Sequence, residues 1–269
     1  MKFIAEIGWN FMGDMELAHN MIKAAKKAGA DYAKFQVWNP ENLKPGPWDE
    51  DGRREIYNKA CINNYRIEQL HDLCNKEDIG FFVSVFEEKS MDMVASFSKS
   101  IIKIPSHECV NWPLIDAAID KFDKVFLSIG ALNEEQLNTL INRYQNVENL
   151  NVMHCVSAYP LDIENVNMPK MLYLKEKFGN VGYSSHFTGA IDAIIACALG
   201  AEYVEKHFTT DNSLPGRDNK FALLPEDFKL MISEAKLARA SMKDCGMGLQ
   251  DCEQDVATIM RGRWSKNDT

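Results

Sequence analysis

Long hydrophobic runs are missing from this chain: none approaches the roughly 18 apolar residues that a membrane span requires. A secretory leader is not expected either, because the opening MKFIAEIGWNFMGD meets a carboxylate at Glu6 within its first apolar stretch. Positive charge is in deficit. Lys and Arg number 30 against 39 Asp and Glu, a net charge of −9, which disfavours nucleic acid or an anionic membrane as the main partner. A small anionic substrate is not excluded, since a cleft can be basic on an acidic protein. No CxxC pair occurs. The seven cysteines (Cys61, Cys74, Cys109, Cys155, Cys197, Cys245, Cys252) are dispersed, several within apolar runs, which reads as reduced, buried thiols in a cytoplasmic protein. Glycine (15) and proline (9) are too sparse for a collagen-like or low-complexity chain, and no internal repeat or linker divides the sequence.

What is present is a globular composition, 46% hydrophobic and 26% charged, in 269 residues. An α/β barrel fills about 250 residues as one domain. Eight short, near-continuously apolar runs recur, as strands of a covered parallel sheet should: 3–7, 32–37, 80–85, 101–104, 124–128, 151–156, 181–184 and 203–208. Between them lie helical patterns over 15–28, 67–76, 111–119, 133–144, 169–178, 190–199 and 225–242. Gly29 suits the C-terminal cap of the first, and Asn133 followed by two glutamates suits the positive end of another. The alternation predicts a (β/α)8 TIM barrel forming a single domain over 1–269, with a short tail from about 256. Two stretches exceed what a minimal barrel needs, 39–65 after the second strand and 209–224 after the eighth. Both leave carboxyl ends of strands, where barrel enzymes build their sites.

Alternation within the strands predicts what points inward. In 32–37, Ala33, Phe35 and Val37 suit the helices, so Lys34 and Gln36 face the barrel together. The same reasoning turns Glu6, Lys103 and Glu205 inward, with His207 on the face of Glu205. Unpaired buried charges are unfavourable by several kcal/mol, so such a cluster is expected where charges neutralise one another or a ligand. A structural ion-pair network of Glu6, Glu205, Lys34 and Lys103 is the alternative; the position near strand C-termini favours an active site. Of six histidines, His19 and His71 read as helix-surface residues and His154 as a satisfied interior histidine. His186 and His207 end adjacent strands, about 4.8 Å apart. Two imidazoles so placed can share a divalent cation and leave positions for water and substrate oxygens.

Several motifs occur in order: Ala-Glu-Ile-Gly (5–8) with Asn10 and Gly13-Asp14, Ala-Gly-Ala-Asp-Tyr-Ala-Lys-Phe-Gln (28–36), Ile-Lys-Ile-Pro-Ser (102–106) and Leu-Ser-Ile-Gly (127–130). His-Cys-Val-Ser-Ala-Tyr-Pro (154–160), Gly-Tyr-Ser-Ser-His (182–186), Gly-Ala-Glu-Tyr-Val-Glu-Lys-His-Phe-Thr (200–209) and Pro-Gly-Arg-Asp (215–218) follow. Together they resemble the sialic acid (N-acetylneuraminate) synthase family over nearly the whole chain. The resemblance implies condensation of phosphoenolpyruvate with an open-chain aldose to give a 2-keto-3-deoxy sugar acid and phosphate. It implies a divalent metal, typically Mn2+ with Mg2+ or Co2+ as alternatives, on residues matching His186 and His207. It implies a phosphoenolpyruvate cradle of Lys34, Gln36, Ser84, Lys103, Ser106, Ser128 and Ser184. Glu6, Glu205, Tyr159 and Asp218 match positions near the metal, acceptor or reacting water, Ser157 stands at a substrate-binding position, and a homodimer is implied.

Six positions depart from the family pattern. Phe11, Ser185, Ser157, Ile129, His107 and Asn219 stand where the family has His, Asp, Asn, Thr, Gly and His. With lysines and histidines kept, the departures are expected on the acceptor side, pointing to an aldose other than N-acetylmannosamine. The family commonly appends an antifreeze-like domain whose arginine reaches the partner's sugar site, and no room for it is expected after 260–269. Arg261 and Arg263 are a linker remnant, a substitute for that arginine, or a solvated tail. Two other readings stand beside a synthase: a sugar- or phosphate-binding barrel that has lost catalysis, and a metal aldolase using pyruvate, against which the phosphate-suited serines argue.

Overall fold

The computed structural model describes residues 1–264, so the end of the expected tail, 265–269, lies outside the described residues. Eight strands carry the fold: β1 (Lys2–Gly8), β2 (Tyr32–Val37), β3 (Gly80–Val85), β4 (Ile101–Ile104), β5 (Lys124–Ile129), β6 (Leu150–Cys155), β7 (Gly182–Ser185) and β8 (Tyr203–His207). They pair in chain order, all parallel, and β8 returns to β1 to close the barrel. The helices are α1 (Met15–Ala28), α2 (Arg53–Ala60), α3 (Asn64–Lys76), α4 (Glu88–Phe97), α5 (Trp112–Lys121), α6 (Glu134–Tyr144), α7 (Met168–Phe178), α8 (Ile191–Ala198) and α9 (Pro225–Ser241). This is the expected TIM barrel.

Local chemistry explains the boundaries. Asp14 caps α1 by accepting from the amides of Glu16 and Leu17 at 2.9 and 3.1 Å, and Gly29 ends the helix at φ 97°. Asn133 and Gln136 form a reciprocal capping box on α6. Two helices exceed those expected, α2 inside the long insertion and α4 after β3. Their apolar stripes are narrow: α2 buries only Tyr57 and Ala60, and α4 only Ser90, Met91 and Val94.

Inside the barrel the side chains lie in layers. Ile4, Phe82, Phe126 and Met153 form a separate apolar floor, with Tyr32, Ile101 and Tyr203 against it. Truncating a buried phenylalanine such as Phe126 to alanine costs about 3–5 kcal/mol. Outside the sheet, a larger apolar layer joins strands to helices. The register above the floor sets the site: Glu6 lies opposite Lys34 and His207, Ser84 opposite Gln36 and Lys103 on its two sides, and Glu205 opposite Ser184.

The insertion after β2 is anchored rather than loose. Arg66 donates to the carbonyls of Lys59 and Cys61 at 2.5 and 2.6 Å. Gly13, at φ +78°, lies so close to the Lys59 carbonyl that a Cβ there would stand 1.9 Å from the oxygen. The β1 loop and the insertion therefore meet backbone to backbone. All seven cysteines are free thiols: Cys74, Cys109, Cys155 and Cys197 are buried as expected, whereas Cys245 and Cys252 are exposed.

Candidate active site

A cavity of about 700 Å³ opens at the carboxyl ends of the strands. Of the fourteen residues singled out from the sequence, thirteen line it: Glu6, Lys34, Gln36, Ser84, Lys103, Ser106, Ser128, Tyr159, Ser184, His186, Glu205, His207 and Asp218. Ser157 does not; it stands one side chain back and donates to Ser106 Oγ at 2.7 Å.

The two lysines and two carboxylates form one buried network. Lys34 Nζ lies 2.6 Å from Glu6 and 3.7 Å from Glu205, and Lys103 Nζ lies 2.5 Å from Glu205. Gln36 donates to Glu6 at 2.6 Å, Lys34 to Ser84 at 2.8 Å, and Ser184 to Glu205 at 3.0 Å. Burial pushes the Glu6 carboxyl up despite Lys34. Burial also opposes charge on Glu205, but Lys103 and Lys34 outweigh it and hold that carboxyl below its usual range. Burial lowers the Lys103 ammonium, against the pull of Glu205. The ion-pair network and the cavity cluster are thus the same residues: the lysines are neutralised internally yet face a cavity. Ser128 Oγ is buried there without a hydrogen-bond partner.

His186 and His207 face one another, ring centroids 5.5 Å apart. Burial lowers His186 to about 4, and burial with the neighbouring cations holds His207 well below its ordinary value, so both are neutral near pH 7. His186 Nδ1 lies 3.0 Å from the Val156 carbonyl, which only accepts, so Nδ1 carries the proton and the Nε2 lone pair is free. His207 Nδ1 is buried without a hydrogen-bond partner, with Asp218 at 3.8 Å. Burial raises Asp218 to about 6. Two neutral imidazoles with uncommitted lone pairs are a donor set of the kind divalent metals take. Among the described residues no group of three or more His, Cys, Asp and Glu has metal-binding geometry, so water and substrate oxygens would fill the remaining positions.

Sequence reasoning missed the mouth of the cavity. Trp9, Trp38, Tyr57, Phe86 and His107 join Tyr159 in a chain of ring contacts with centroids 4.7–6.4 Å apart. Arg217 lies over the Tyr159 ring at 4.4 Å, and Gly216 approaches Trp9, which closes the collar. Trp9 and Trp38, each just past the end of one of the first two strands, and the arginine of Pro-Gly-Arg-Asp were the available signals. His154 is buried outside the barrel and meets the Val166 carbonyl at 2.8 Å, and His19 meets Glu77 at 2.7 Å.

The expectation that the six departures lie on the acceptor side requires correction, because His107 alone among them lines the cavity. Phe11 and Ile129 are in the apolar layer outside the sheet, where Phe11 packs edge-on to Phe35. Asn219 ties the loop after β8 together through Thr209 at 2.6 Å. Ser185 lies behind the sheet, bonded to Lys206. Strand alternation turns Ile129 of β5 and Ser185 of β7 away from the cavity. Arg261 and Arg263 are exposed and do not line it.

The model of the NeuB family matches residues 21–246. The chain belongs to the NeuB family. It is 31% identical to the N,N'-diacetyllegionaminic acid synthase of Campylobacter jejuni, over 96% of this chain and 82% of that protein. It is 32% identical to a pseudaminic acid synthase of the same species, over 98% and 81%. Its fold is similar to the N-acetylneuraminic acid synthetase of Leptospira borgpetersenii in complex with citrate, with a TM-score of 0.85 and 29% identity over 96% and 92% of the two chains. Membership makes this NeuB-family chain an enzyme of sugar-acid synthesis. No helix among the described residues is long and apolar enough to cross a membrane.

Proposed function

We propose that this NeuB-family barrel condenses phosphoenolpyruvate with the open-chain form of an aldose, giving a 2-keto-3-deoxy sugar acid and inorganic phosphate. The supporting observation is the pair of buried lysines, Lys34 and Lys103, brought by β2 and β4 to the base of a cavity beside two neutral histidines. Phosphoenolpyruvate carries a carboxylate and a phosphate, and two lysines from different strands grip two anionic groups by charge-assisted bonds. Ser84, Ser106, Ser128 and Ser184 supply hydroxyls, and the unpartnered Ser128 Oγ suits an anion's oxygen. Gln36 completes the cradle at its edge, and Ser157 supports it from behind by donating to Ser106 Oγ.

The enol carbon C3 attacks the aldehyde carbon, whose oxygen becomes a hydroxyl after taking a proton. Water adds at C2, and the phosphate leaves with its bridging oxygen as the ketone forms. Positive charge builds on C2 during this sequence, and Glu6 and Glu205 are the carboxylates placed to stabilise it. Lys103 holds the anion and balances Glu205. His186 and His207 would hold a divalent cation, Mn2+ first and Mg2+ or Co2+ next, which supplies Lewis-acid polarisation of the aldehyde oxygen when bound. Tyr159 and Asp218 line the acceptor end, and the aromatic collar offers ring faces to the C–H surface of a sugar. The whole chain acts as one cytoplasmic barrel domain and pairs as a homodimer in this reading.

The test mixes the protein with phosphoenolpyruvate, Mn2+ and aldoses of four to six carbons, with and without N-acetyl and phosphate groups. Phosphate release coupled to a product of summed mass is expected for at least one aldose. Calorimetric binding of phosphoenolpyruvate without phosphate release for any of them would replace the synthase by a binding barrel.

A further inference from the structure

One buried charged group takes no part in the cavity. Lys206 follows Glu205 on β8 and precedes His207, so alternation turns its side chain outward, into the layer between sheet and helices. There it is 1% exposed, beside Asp192 in the first turn of α8, which is fully buried. The two approach at 3.3 Å. Lys206 Nζ also donates to Ser185 Oγ at 2.8 Å and to the Phe187 carbonyl at 2.6 Å. Asp192 accepts from the Tyr183 hydroxyl at 2.9 Å and from Ser185 Oγ. The Phe187 amide in turn donates to Ser185 Oγ at 3.2 Å.

These bonds surround the segment that carries His186. Its carbonyl accepts from Leu161 N at 3.0 Å and its Nδ1 donates to the Val156 carbonyl at 3.0 Å, so the position of the turn that carries it decides where the ring meets His207. Lys206, next to His207 in sequence, bonds this backbone at the Phe187 carbonyl, and Ser185 Oγ bonds it at the Phe187 amide. An ion pair in an otherwise apolar layer is poor value for stability alone, because desolvation offsets the attraction. Its bonds to the turn give it a further effect.

We infer that Lys206, with Asp192 as its counter-ion, is a positioning residue that holds the Ser185–Phe187 turn and so sets His186 against His207. This rests on the reading of the two histidines as a metal pair. Outer partners of metal ligands typically change affinity by about 10–100-fold when removed.

The test titrates the full chain with Mn2+ alone, followed by electron paramagnetic resonance, and measures hydrogen exchange of residues 185–190. The paired substitution Lys206→Met with Asp192→Asn leaves no unpaired buried charge. It is expected to weaken Mn2+ binding about tenfold or more and to speed exchange in that segment. Leu70→Ala, on α3 across the barrel, is the control for lost stability and should leave both unchanged. Ser185→Ala removes the shared hydroxyl without touching a charge and serves if the pair fails to fold; about two- to tenfold weakening is expected. Mn2+ affinity within twofold of wild type with unchanged exchange, in either folded variant, overturns the proposal. Wild-type protein that takes up no Mn2+ overturns the metal reading instead, and exchange alone then decides whether Lys206 holds the turn.

Discussion

Replacing Lys103 by methionine separates the two properties that its network combines. The ammonium is buried, 2.5 Å from Glu205, and the carboxylate's other cation, Lys34, lies farther away at 3.7 Å. Removing one member of a buried pair costs about 3–5 kcal/mol, because the remaining charge is stranded in low dielectric. Lys34 recovers part of that, so the lower end, about 3 kcal/mol, is expected. At roughly 2–4 °C per kcal/mol for a chain of this size, the melting temperature should fall by about 10 °C. Phosphoenolpyruvate loses one charge-assisted bond of about 1.5–3 kcal/mol, so its affinity should fall about 10–150-fold. The double variant Lys103→Met with Glu205→Gln distinguishes the two effects. Its melting temperature should return most of the way, since no unpaired charge remains, while its affinity for phosphoenolpyruvate stays low. Thermal denaturation and titration calorimetry on wild type and the variants form a double-mutant cycle. A double variant that binds phosphoenolpyruvate like wild type would refute the anion site and leave the network purely structural. An unchanged melting temperature in the single variant would refute the buried pair.

Three further expectations follow from the same geometry. His207→Ala should abolish Mn2+ binding as read by paramagnetic resonance, and wild-type affinity in that variant would remove the histidine from the metal site. His154 is fully buried and its pKa lies near 4, below the ordinary value of 6.5, because burial disfavours its charged form. Its unfolded-state imidazole takes up a proton first, so stability should be intact above pH 6.5 and decline toward pH 4, by on the order of 3 kcal/mol. Denaturant titrations from pH 7 to 4 should show a shallower decline in His154→Gln, and parallel curves would discount the residue. Gly13→Ala would drive a Cβ to 1.9 Å from the Lys59 carbonyl at a φ of +78°, and should loosen the insertion. Limited proteolysis should then cut between 39 and 62 faster than in wild type; an unchanged pattern would show that the contact does not anchor it.

Much of the barrel follows from periodicity. The eight apolar runs match the eight strands to within a residue or two, because strands covered by helices must be apolar on their outer face. Alternation then sufficed to turn Lys34, Gln36, Glu6, Lys103 and Glu205 inward. Helices α2 and α4 were not among the expected ones; α2, RREIYNKA, is mostly polar and lies inside the insertion after β2. The departures from the family pattern were misplaced because position in a motif does not reveal which face of a strand or loop a residue takes. Phe11 and Ile129 joined the outer apolar layer, and Ser185 joined Lys206 behind the sheet.

The sequence by itself determined the fold class and turned Glu6, Lys34, Gln36, Lys103, Glu205 and His207 inward, since strand period is a local property carried by each segment; Ser84, Ser106, Ser128, Ser184, Tyr159 and Asp218 came from the resemblance of its motifs to the family. Only the tertiary structure decided the rest. Barrel closure pairs β8 with β1, which places Glu205 of one end of the chain within reach of Lys34 near the other. It wraps rings from four separate loops and the insertion into one collar, and it buries Lys206 against Asp192 behind the histidines. Such pairings depend on which segments meet in space, and no periodicity along the chain records them.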